Sequence, residues 1–374
     1  MTQTDDSAER LQQQQLITDA ATAFVRRELS PSALRAGTIS RKRWQGLSEL
    51  GLFAMLVPEA KGGLGLLIGD LVPALEALGK PLLREPVVAS SVLVGTVLAG
   101  IPDQAKAASL LEQLAAGALI PALAWQETYR LDGNHLKTTL SAEGSGYVLS
   151  GRKVLVLPGD ATDGLLVSAA IGAKTGLAWV AQGADGMRIE TSRLADGGTA
   201  ATVHFDRVLV DPADLLSVDA ADLLEEGLDI ATIAASAELL GLIRGAMEIT
   251  MDYLRTRKQF NKTIGAFQAL QHRAADLFIQ QELSAAALGR AVADFEAATG
   301  RQARATAASR AKARLSSAAL IVTKEAIQMH GGIGYTDEHE IGLYLKRALT
   351  LSAWLGNAAE HRGRFAALTM GDAA

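Results

Sequence analysis

Long helical blocks in the C-terminal half of the sequence constrain the fold more than any other feature. They are rich in Ala and Leu, which favour helix, and polar residues recur among the apolar ones. The blocks cover residues 222–256, 265–299, 303–330 and 338–368. Gly300 and the segment GGIG at 331–334 interrupt them. A chain with so much helix in one half is predicted to be mostly helical.

The N-terminal part also has helical texture. Apolar residues spaced for one face predict a helix over residues 7–30, and Pro31 favours a break after it. A second helix is predicted over residues 40–51, where Gly51 ends it. Helical segments resume from Leu71 to about Ala116. The glycine-rich KGGLGL at 61–66 follows no predicted strand, so a loop is predicted there rather than a dinucleotide fingerprint.

The middle of the chain has the texture of strands. From about Ile120, short Val- and Leu-rich runs are bounded by Gly, Asp or Pro. These runs cover residues 147–160, 164–170, 176–183 and 201–211. The sequence therefore predicts three domains, helical over 1–119, β over 120–217 and helical over 218–374.

Composition excludes several functional classes. The 374-residue chain carries a net charge of −5, which gives no basic surface for nucleic acid or for anionic lipid. It has no cysteine, which excludes disulfides, thiolate metal sites and a cysteine nucleophile. The longest apolar run, at 89–101, is too short to span a bilayer, and the polar N-terminus lacks a signal core. We therefore expect a cytoplasmic protein without membrane insertion. Only EHE at 338–340 resembles a ligand cluster, and no partner motif accompanies it, so no metal site is predicted.

Four segments resemble hallmarks of the acyl-CoA dehydrogenase family in order and spacing. They are WQGLSELGLFAMLVPEAKGGLGL at 44–66, FDRVLVDPADLL at 205–216, YLRTRKQFNKTIGAFQALQHRAADL at 253–277 and AIQMHGGIGYTDEHEIGLYLKRA at 326–348. The resemblance implies an N-terminal helical domain, a middle β-barrel or sandwich and a C-terminal four-helix bundle. It also implies FAD as cofactor, α,β-desaturation of an acyl-CoA thioester, and electron-transfer flavoprotein as acceptor.

A group of residues in the two C-terminal segments suits a dinucleotide. Arg257 can offer a forked set of donors to a pyrophosphate. Phe260, three residues later, is predicted to share its helical face and to pack on adenine. The resemblance implies that these side chains reach across a subunit interface to the AMP end of FAD bound mainly by the neighbour. The same role is implied for Gln271, Gln328, Gly331 and Gly332.

The positions of the family's catalytic base carry no acid. The family pattern Tyr-Glu-Gly-Thr falls on residues 354–357, where Leu355 replaces the glutamate. A minority of the family places its base on an earlier helix, at the position of Ala231 beside Thr232. An aliphatic side chain cannot take the proton that the desaturation releases.

The flavin-ring positions of the β-domain depart from the family as well. The Gly-Ser-Asp that normally follows Thr-Glu is absent from LAWQETYRLDGNHL at 123–136. A Trp-Ile-Thr that packs on the flavin maps onto Leu155, Val156 and Leu157. The groups that would hold a flavin ring in this chain are therefore changed, while those that reach toward a neighbour's FAD are kept.

This pattern predicts a non-catalytic subunit of a heterotetrameric acyl-CoA dehydrogenase, paired with a catalytic subunit. The family-level expectation for the acyl group is a steroid side chain or a dicarboxylic acid, broken down by β-oxidation. One alternative is a self-sufficient homotetramer whose base has moved to Glu225, Glu226 or Asp229, although these acids are more simply explained by the dipole of a helix's first turn. Another is a structural or binding protein of the same fold. Glu360 is expected to be solvated or paired with His361 or Arg362.

Overall fold

The computed structural model describes residues 3–29, 38–131 and 136–370. Its long helices confirm the predicted mainly helical class with a central β region. In chain order the helices are α1 Gln3–Glu28, α2 Arg41–Glu49, α3 Ile68–Gly79, α4 Gly95–Gly100, α5 Ala105–Ala115, α6 Ala221–Thr256, α7 Gln268–Ala297, α8 Arg301–His330, α9 Ile341–Ala353 and α10 Ala358–Met370. A π-helical turn, Val87–Val94, precedes α4. The break predicted at Pro31 lies outside the described residues.

The chain forms two compact units. A helical unit comprises the described residues of Met1–Ala36, Ile68–Leu83 and Thr232–Ala374. A sheet unit comprises those of Gly37–Leu67 and Arg84–Ala231. The boundaries of the three predicted domains, at residues 119 and 217, stay a prediction.

Glycines allow α3 and α6 to approach closely within the helical unit. A Cβ on Gly241 would lie 2.1 Å from the carbonyl oxygen of Glu76, and one on Gly245 would lie 2.3 Å from that of Lys80. Any larger side chain at either position would push the helices apart. On α9, the Arg347 Nε donates to Glu238 Oε1 of α6 over 3.0 Å. Close backbone packing and a part-buried ion pair together fix the position of α6 within this unit.

The sheet unit contains one eight-stranded sheet. The order is β6-β7-β3-β2-β4-β5-β8, and β1 pairs in parallel with β4. The strands are β1 Pro121–Ala124, β2 Thr139–Glu143, β3 Gly146–Val156, β4 Gly164–Ile171, β5 Lys174–Ala181, β6 Met187–Arg193, β7 Thr199–Val210 and β8 Leu215–Ser217. Alternate side chains of β3, β4 and β7 form its apolar core, which includes Leu149, Leu165, Val167, Val203 and Phe205.

Most predicted elements are confirmed, with two kinds of difference. The four strand-textured runs became β3, β4, β5 and β7, whereas β1, β2, β6 and β8 were missed because they are short or polar. The predicted block 338–368 is wrong as a single helix, because it divides into α9 and α10 around residues 354–357. KGGLGL is a loop as predicted, with Gly62 and Gly65 at positive φ.

The most apolar long helix is used for packing. Among the described residues, α6 alone is long and apolar enough to cross a membrane by length and composition, and 89% of its most apolar window is buried inside the protein. The longest uninterrupted apolar run of the sequence lies elsewhere, at 89–101, because acidic residues are interspersed along α6.

Candidate functional site

A short hairpin after α6 displays the predicted pyrophosphate and adenine ligands. Strand β9, Lys258–Gln259, pairs with β10, Lys262–Thr263, and Phe260 and Asn261 form the two-residue turn between them. Both turn residues have positive φ, 52° and 60°. Helix α6 ends at Thr256, so the prediction that Arg257 and Phe260 share a helical face is wrong. The tight turn instead leaves Phe260 86% exposed at the tip of the hairpin.

Hydrogen bonds hold the base of the hairpin, while the Arg257 guanidinium stays exposed to solvent. The Ile264 N–H donates to the Arg257 carbonyl over 2.8 Å. Gln271, in the first turn of α7, donates to the Gly265 carbonyl over 3.0 Å. In the described part of the chain, the exposed guanidinium of Arg257 has no hydrogen-bond or ion-pair partner. A hydrogen bond thus holds the Arg257 backbone, while the Arg257 guanidinium has no partner among the described residues. Gln271, by contrast, already uses one amide hydrogen to hold the hairpin.

The end of α8 presents the remaining predicted ligands. Gln328 is exposed in its last turn, and its backbone carbonyl accepts from the Gly331 N–H. Gly331 has a φ of 66°, which a residue with a side chain rarely adopts. Built Cβ atoms on Gly331 and Gly332 would meet nothing within 4 Å. The loop therefore offers open backbone that a phosphate group can approach.

An aromatic cluster brings these two groups to the same end of the helical unit. Tyr253, in the last turn of α6, stacks on His330 at the end of α8 with a centroid distance of 4.5 Å. His339 packs on the same imidazole at 4.4 Å. His330 Nδ1 donates to the Ala326 carbonyl over 2.7 Å. Burial, together with nearby His339, lowers the pKa of His330, so this support is neutral at pH 7.

The geometry suits the adenylate end of a dinucleotide. A cation without an internal partner in the described residues, an exposed aromatic ring and an open glycine loop follow helix ends that meet at one end of the helical unit. Anions are bound by forked guanidinium donors and by backbone N–H groups, and adenine stacks on aromatic rings. Their ligand roles stay a prediction, as do those of Gln271 and Gln328.

The loop between α9 and α10 carries the position of the absent base. Leu355 is buried, 3% exposed, and has a φ of 59°. Lys312 Nζ, on α8, donates to the carbonyls of Trp354 and Gly356 over 2.8 and 2.9 Å. Burial lowers the pKa of Lys312 to about 7, and the charge of Glu360 opposes that shift. Neither Lys312 nor this network was predicted, although a lysine among Ala and Leu in RAKARLSSAAL was a visible signal.

Glu360 has a capping role that was not predicted, whereas its expected solvation or pairing with His361 or Arg362 stays a prediction. Its Oε2 accepts from the Asn357 N–H over 2.8 Å, while Asn357 Oδ1 accepts from the N–H groups of Ala359 and Glu360 over 2.9 and 3.1 Å. This reciprocal pair is a capping box, which begins α10. Asn357 thus keeps the capping function that a threonine can have at this position.

The alternative base position is occupied by buried small residues. Ala231 is fully buried, and the Thr232 carbonyl accepts from Ser236 Oγ over 2.8 Å. The first-turn interpretation of Glu225, Glu226 and Asp229 is wrong, because the acidic residue in the first turn of α6 is Asp222, and Asp229 lies in the third turn and is 5% exposed. Glu225, Glu226 and Asp229 all have partners.

A buried lysine organises the sheet segment where the family holds flavin and substrate. Lys153 Nζ donates to Glu127 Oε1 over 2.8 Å and to the Trp125 carbonyl over 3.2 Å. Burial lowers the pKa of Lys153 to about 8, and Glu127 opposes that shift. A bulge follows, with Leu155 at a φ of 52°. Residues 132–135, part of the segment 123–136 that differs from the family pattern, lie outside the described residues. The loss of flavin contacts at residues 155–157 stays a prediction.

The exposed Arg257 side chain, the exposed Phe260 ring and the glycine loop together suit a protein that contributes to the binding site of a dinucleotide cofactor. The family profile described as "Acyl-CoA dehydrogenase, C-terminal domain" matches residues 221–368, and "Acyl-CoA dehydrogenase, N-terminal domain" matches residues 12–118. The chain belongs to the acyl-CoA dehydrogenase family. The family's cofactor is FAD, as predicted.

Relatives and solved structures agree over nearly the whole chain. The acyl-CoA dehydrogenase IpdE2 of Mycolicibacterium smegmatis is 31% identical over 95% of this chain and 98% of its own length. A variant of the Tcur3481-Tcur3483 steroid ACAD is similar at a TM-score of 0.84 and 28% identity, covering 97% of this chain and 99% of that chain. A glutaryl-CoA dehydrogenase from Mycobacterium smegmatis in complex with FADH2 shares the fold at a TM-score of 0.88, 18% identity and coverage of 96% and 95%.

Proposed function

We propose that this chain is the non-catalytic subunit of a flavin-dependent acyl-CoA dehydrogenase, and that it completes the AMP end of an FAD site held mainly by a catalytic partner. The observation that carries the proposal is a pairing of two facts. Leu355 and Ala231 cannot accept a proton, while the Arg257 side chain and the Phe260 ring are exposed, with Phe260 in edge contact with Phe267 alone among the rings of the described residues.

The division of labour follows from what each side chain can do. Bound FAD supplies the hydride acceptor for desaturation next to a thioester. The Arg257 guanidinium neutralises pyrophosphate charge through two donors. Phe260 provides an apolar face for adenine, and the backbone of Gly331 and Gly332 comes close to phosphate oxygens. Removal of the substrate proton is left to a carboxylate of the partner.

The partner and substrate follow from the same reasoning. The catalytic subunit contributes the base and the flavin-ring pocket, in a heterotetramer with two copies of each chain. One similar structure, a steroid ACAD named for two gene products, supports a paired assembly and a bulky polycyclic acyl group as substrate class. In this proposal, electrons pass to electron-transfer flavoprotein and the assembly acts in the cytoplasm.

The test is to purify the chain alone and with the dehydrogenase encoded beside it. The proposal expects flavin in the co-purified assembly at one FAD per pair of chains, and little flavin with this chain alone. One tightly bound FAD on every copy of this chain, in the absence of a partner, contradicts it. A colourless co-assembly would favour a structural protein of the same fold.

A self-sufficient homotetramer is the second candidate, favoured by the burial of Asp229 two residues before Ala231. A carboxylate is the type of group that can take the proton in general base catalysis. Asp229→Asn and Glu226→Gln test this candidate. If either variant alone stops substrate bleaching of the flavin, the base has moved and the non-catalytic proposal fails.

A further inference from the structure

Lys312 has an unusual environment for a lysine. Its side chain is fully buried on α8, yet among the described residues no carboxylate accepts a hydrogen bond from its ammonium. The acceptors are three carbonyls, those of Ser352 at 3.4 Å, Trp354 at 2.8 Å and Gly356 at 2.9 Å. An ammonium has three donors, of which two are directed to the loop between α9 and α10 and one, over the longest distance, to the last turn of α9.

A second buried side chain, that of His361, holds the Leu355 carbonyl, which accepts no hydrogen bond from Lys312. His361 Nε2 donates to the Leu355 carbonyl over 2.8 Å. Burial and the charge of Lys312 lower the pKa of His361 to about 3, so the imidazole is neutral and its Nε2 carries the hydrogen. Three successive carbonyls, 354 to 356, therefore accept from two side chains of neighbouring helices.

The backbone that these groups hold is unfavourable for its residue. A leucine at a φ of 59° is in the left-handed region, where its Cβ comes too close to the following carbonyl oxygen. Such a conformation persists only where the surroundings over-determine it. The hydrogen bonds that hold this loop all act on backbone atoms, and the capping box at Asn357 adds a fourth fixed point. None of these hydrogen bonds uses the side chain at 355, which contributes only apolar packing.

We propose that Lys312 is a positioning residue that holds the loop Trp354–Asn357 in one conformation whatever side chain stands at 355. Residue 355 then lies at the same position whatever its side chain is, so Leu355 occupies that position without changing the conformation of the loop. This inference concerns the loop itself and does not rest on the proposed division of labour between subunits.

Hydrogen exchange of the full chain, in the assembly in which it purifies, tests the proposal. In Lys312→Met, we expect amides of the peptide covering residues 352–361 to exchange at least tenfold faster, because three hydrogen bonds from a charged donor are lost. The matched control is Lys153→Met, which removes the other fully buried lysine, in the sheet unit. It should lower the melting temperature but leave exchange of 352–361 within twofold of the parent.

A second variant keeps the test decisive if Lys312→Met does not fold. Leu355→Gln changes the presented side chain and leaves every backbone contact in place, so exchange of 352–361 should stay within twofold of the parent. Faster exchange in Leu355→Gln overturns the proposal. Unchanged exchange in folded Lys312→Met, or equal loosening in Lys153→Met, also overturns it. Flavin content enters none of these outcomes, so a failure here is distinct from a failure of the proposed function.

Discussion

Replacing Arg257 by alanine should weaken FAD binding without weakening the fold. The side chain is exposed and has no hydrogen-bond or ion-pair partner among the described residues, so the change in the free energy of unfolding should stay within about 0.5 kcal/mol. A hydrogen bond from a charged donor to an anion contributes roughly 1.5–3 kcal/mol. Since about 1.4 kcal/mol is a factor of ten, the Kd for FAD should rise about 10- to 150-fold. Arg257→Lys should give a smaller loss, because it keeps the charge but not the forked pair of donors.

The assay is FAD titration of the co-purified assembly after flavin removal, followed by flavin fluorescence. Arg255→Ala is the matched control, because Arg255 lies two residues away and is exposed but pairs with Asp252 over 2.8 Å. Such a surface pair contributes about 0.3–0.5 kcal/mol to folding, and its loss should leave the Kd for FAD unchanged. Equal weakening by both substitutions, or none by Arg257→Ala, refutes the reasoning.

Three other perturbations have expected outcomes. Phe260→Asn should lower FAD affinity by the roughly 1–3 kcal/mol of a stacked base but change the stability of the chain little, because asparagine tolerates the positive φ while the edge contact with Phe267 is lost; unchanged flavin affinity contradicts this. Burial would raise the pKa of Asp163, but Arg41 and a backbone N–H lower it. This carboxylate therefore stabilises the fold above its unfolded pKa of about 4 and loses that effect as the pH falls through the lower folded value. Asp163→Asn should melt below the parent at pH 7, with the gap closing near pH 3; a constant gap is the contrary result. Glu360→Ala removes one capping hydrogen bond and should cost about 0.5–1 kcal/mol in denaturant unfolding, less than Asn357→Ala, which removes two; the reverse order contradicts the capping box.

Sequence reasoning predicted the fold well where local pattern decides structure. Helix α6, predicted over 222–256, runs from Ala221 to Thr256, since continuous Ala- and Leu-rich texture leaves few alternatives. The strand-textured runs were recognisable because their buried faces are apolar. Strand β6 was not, since its residues are mostly exposed and its pairing with β7 is fixed by backbone hydrogen bonds.

The candidate site shows where local pattern fails. A spacing of three residues predicted a helical face for Arg257 and Phe260, but the turn at Phe260 and Asn261 depends on pairing between Lys258–Gln259 and Lys262–Thr263. The environments of Lys312 and Lys153 depend on backbone carbonyls distant in sequence. A sequence shows that a lysine lies in an apolar run, but only the fold shows which carbonyls accept its hydrogens.

Anaerobic substrate bleaching most directly tests the central claim that another polypeptide removes the substrate proton. The chain alone, loaded with excess FAD, is mixed with a steroid side-chain acyl-CoA, and flavin absorbance near 450 nm is followed. We predict no bleaching by the chain alone and rapid bleaching once the catalytic subunit is added. Bleaching of the chain's own flavin without that subunit would contradict the account.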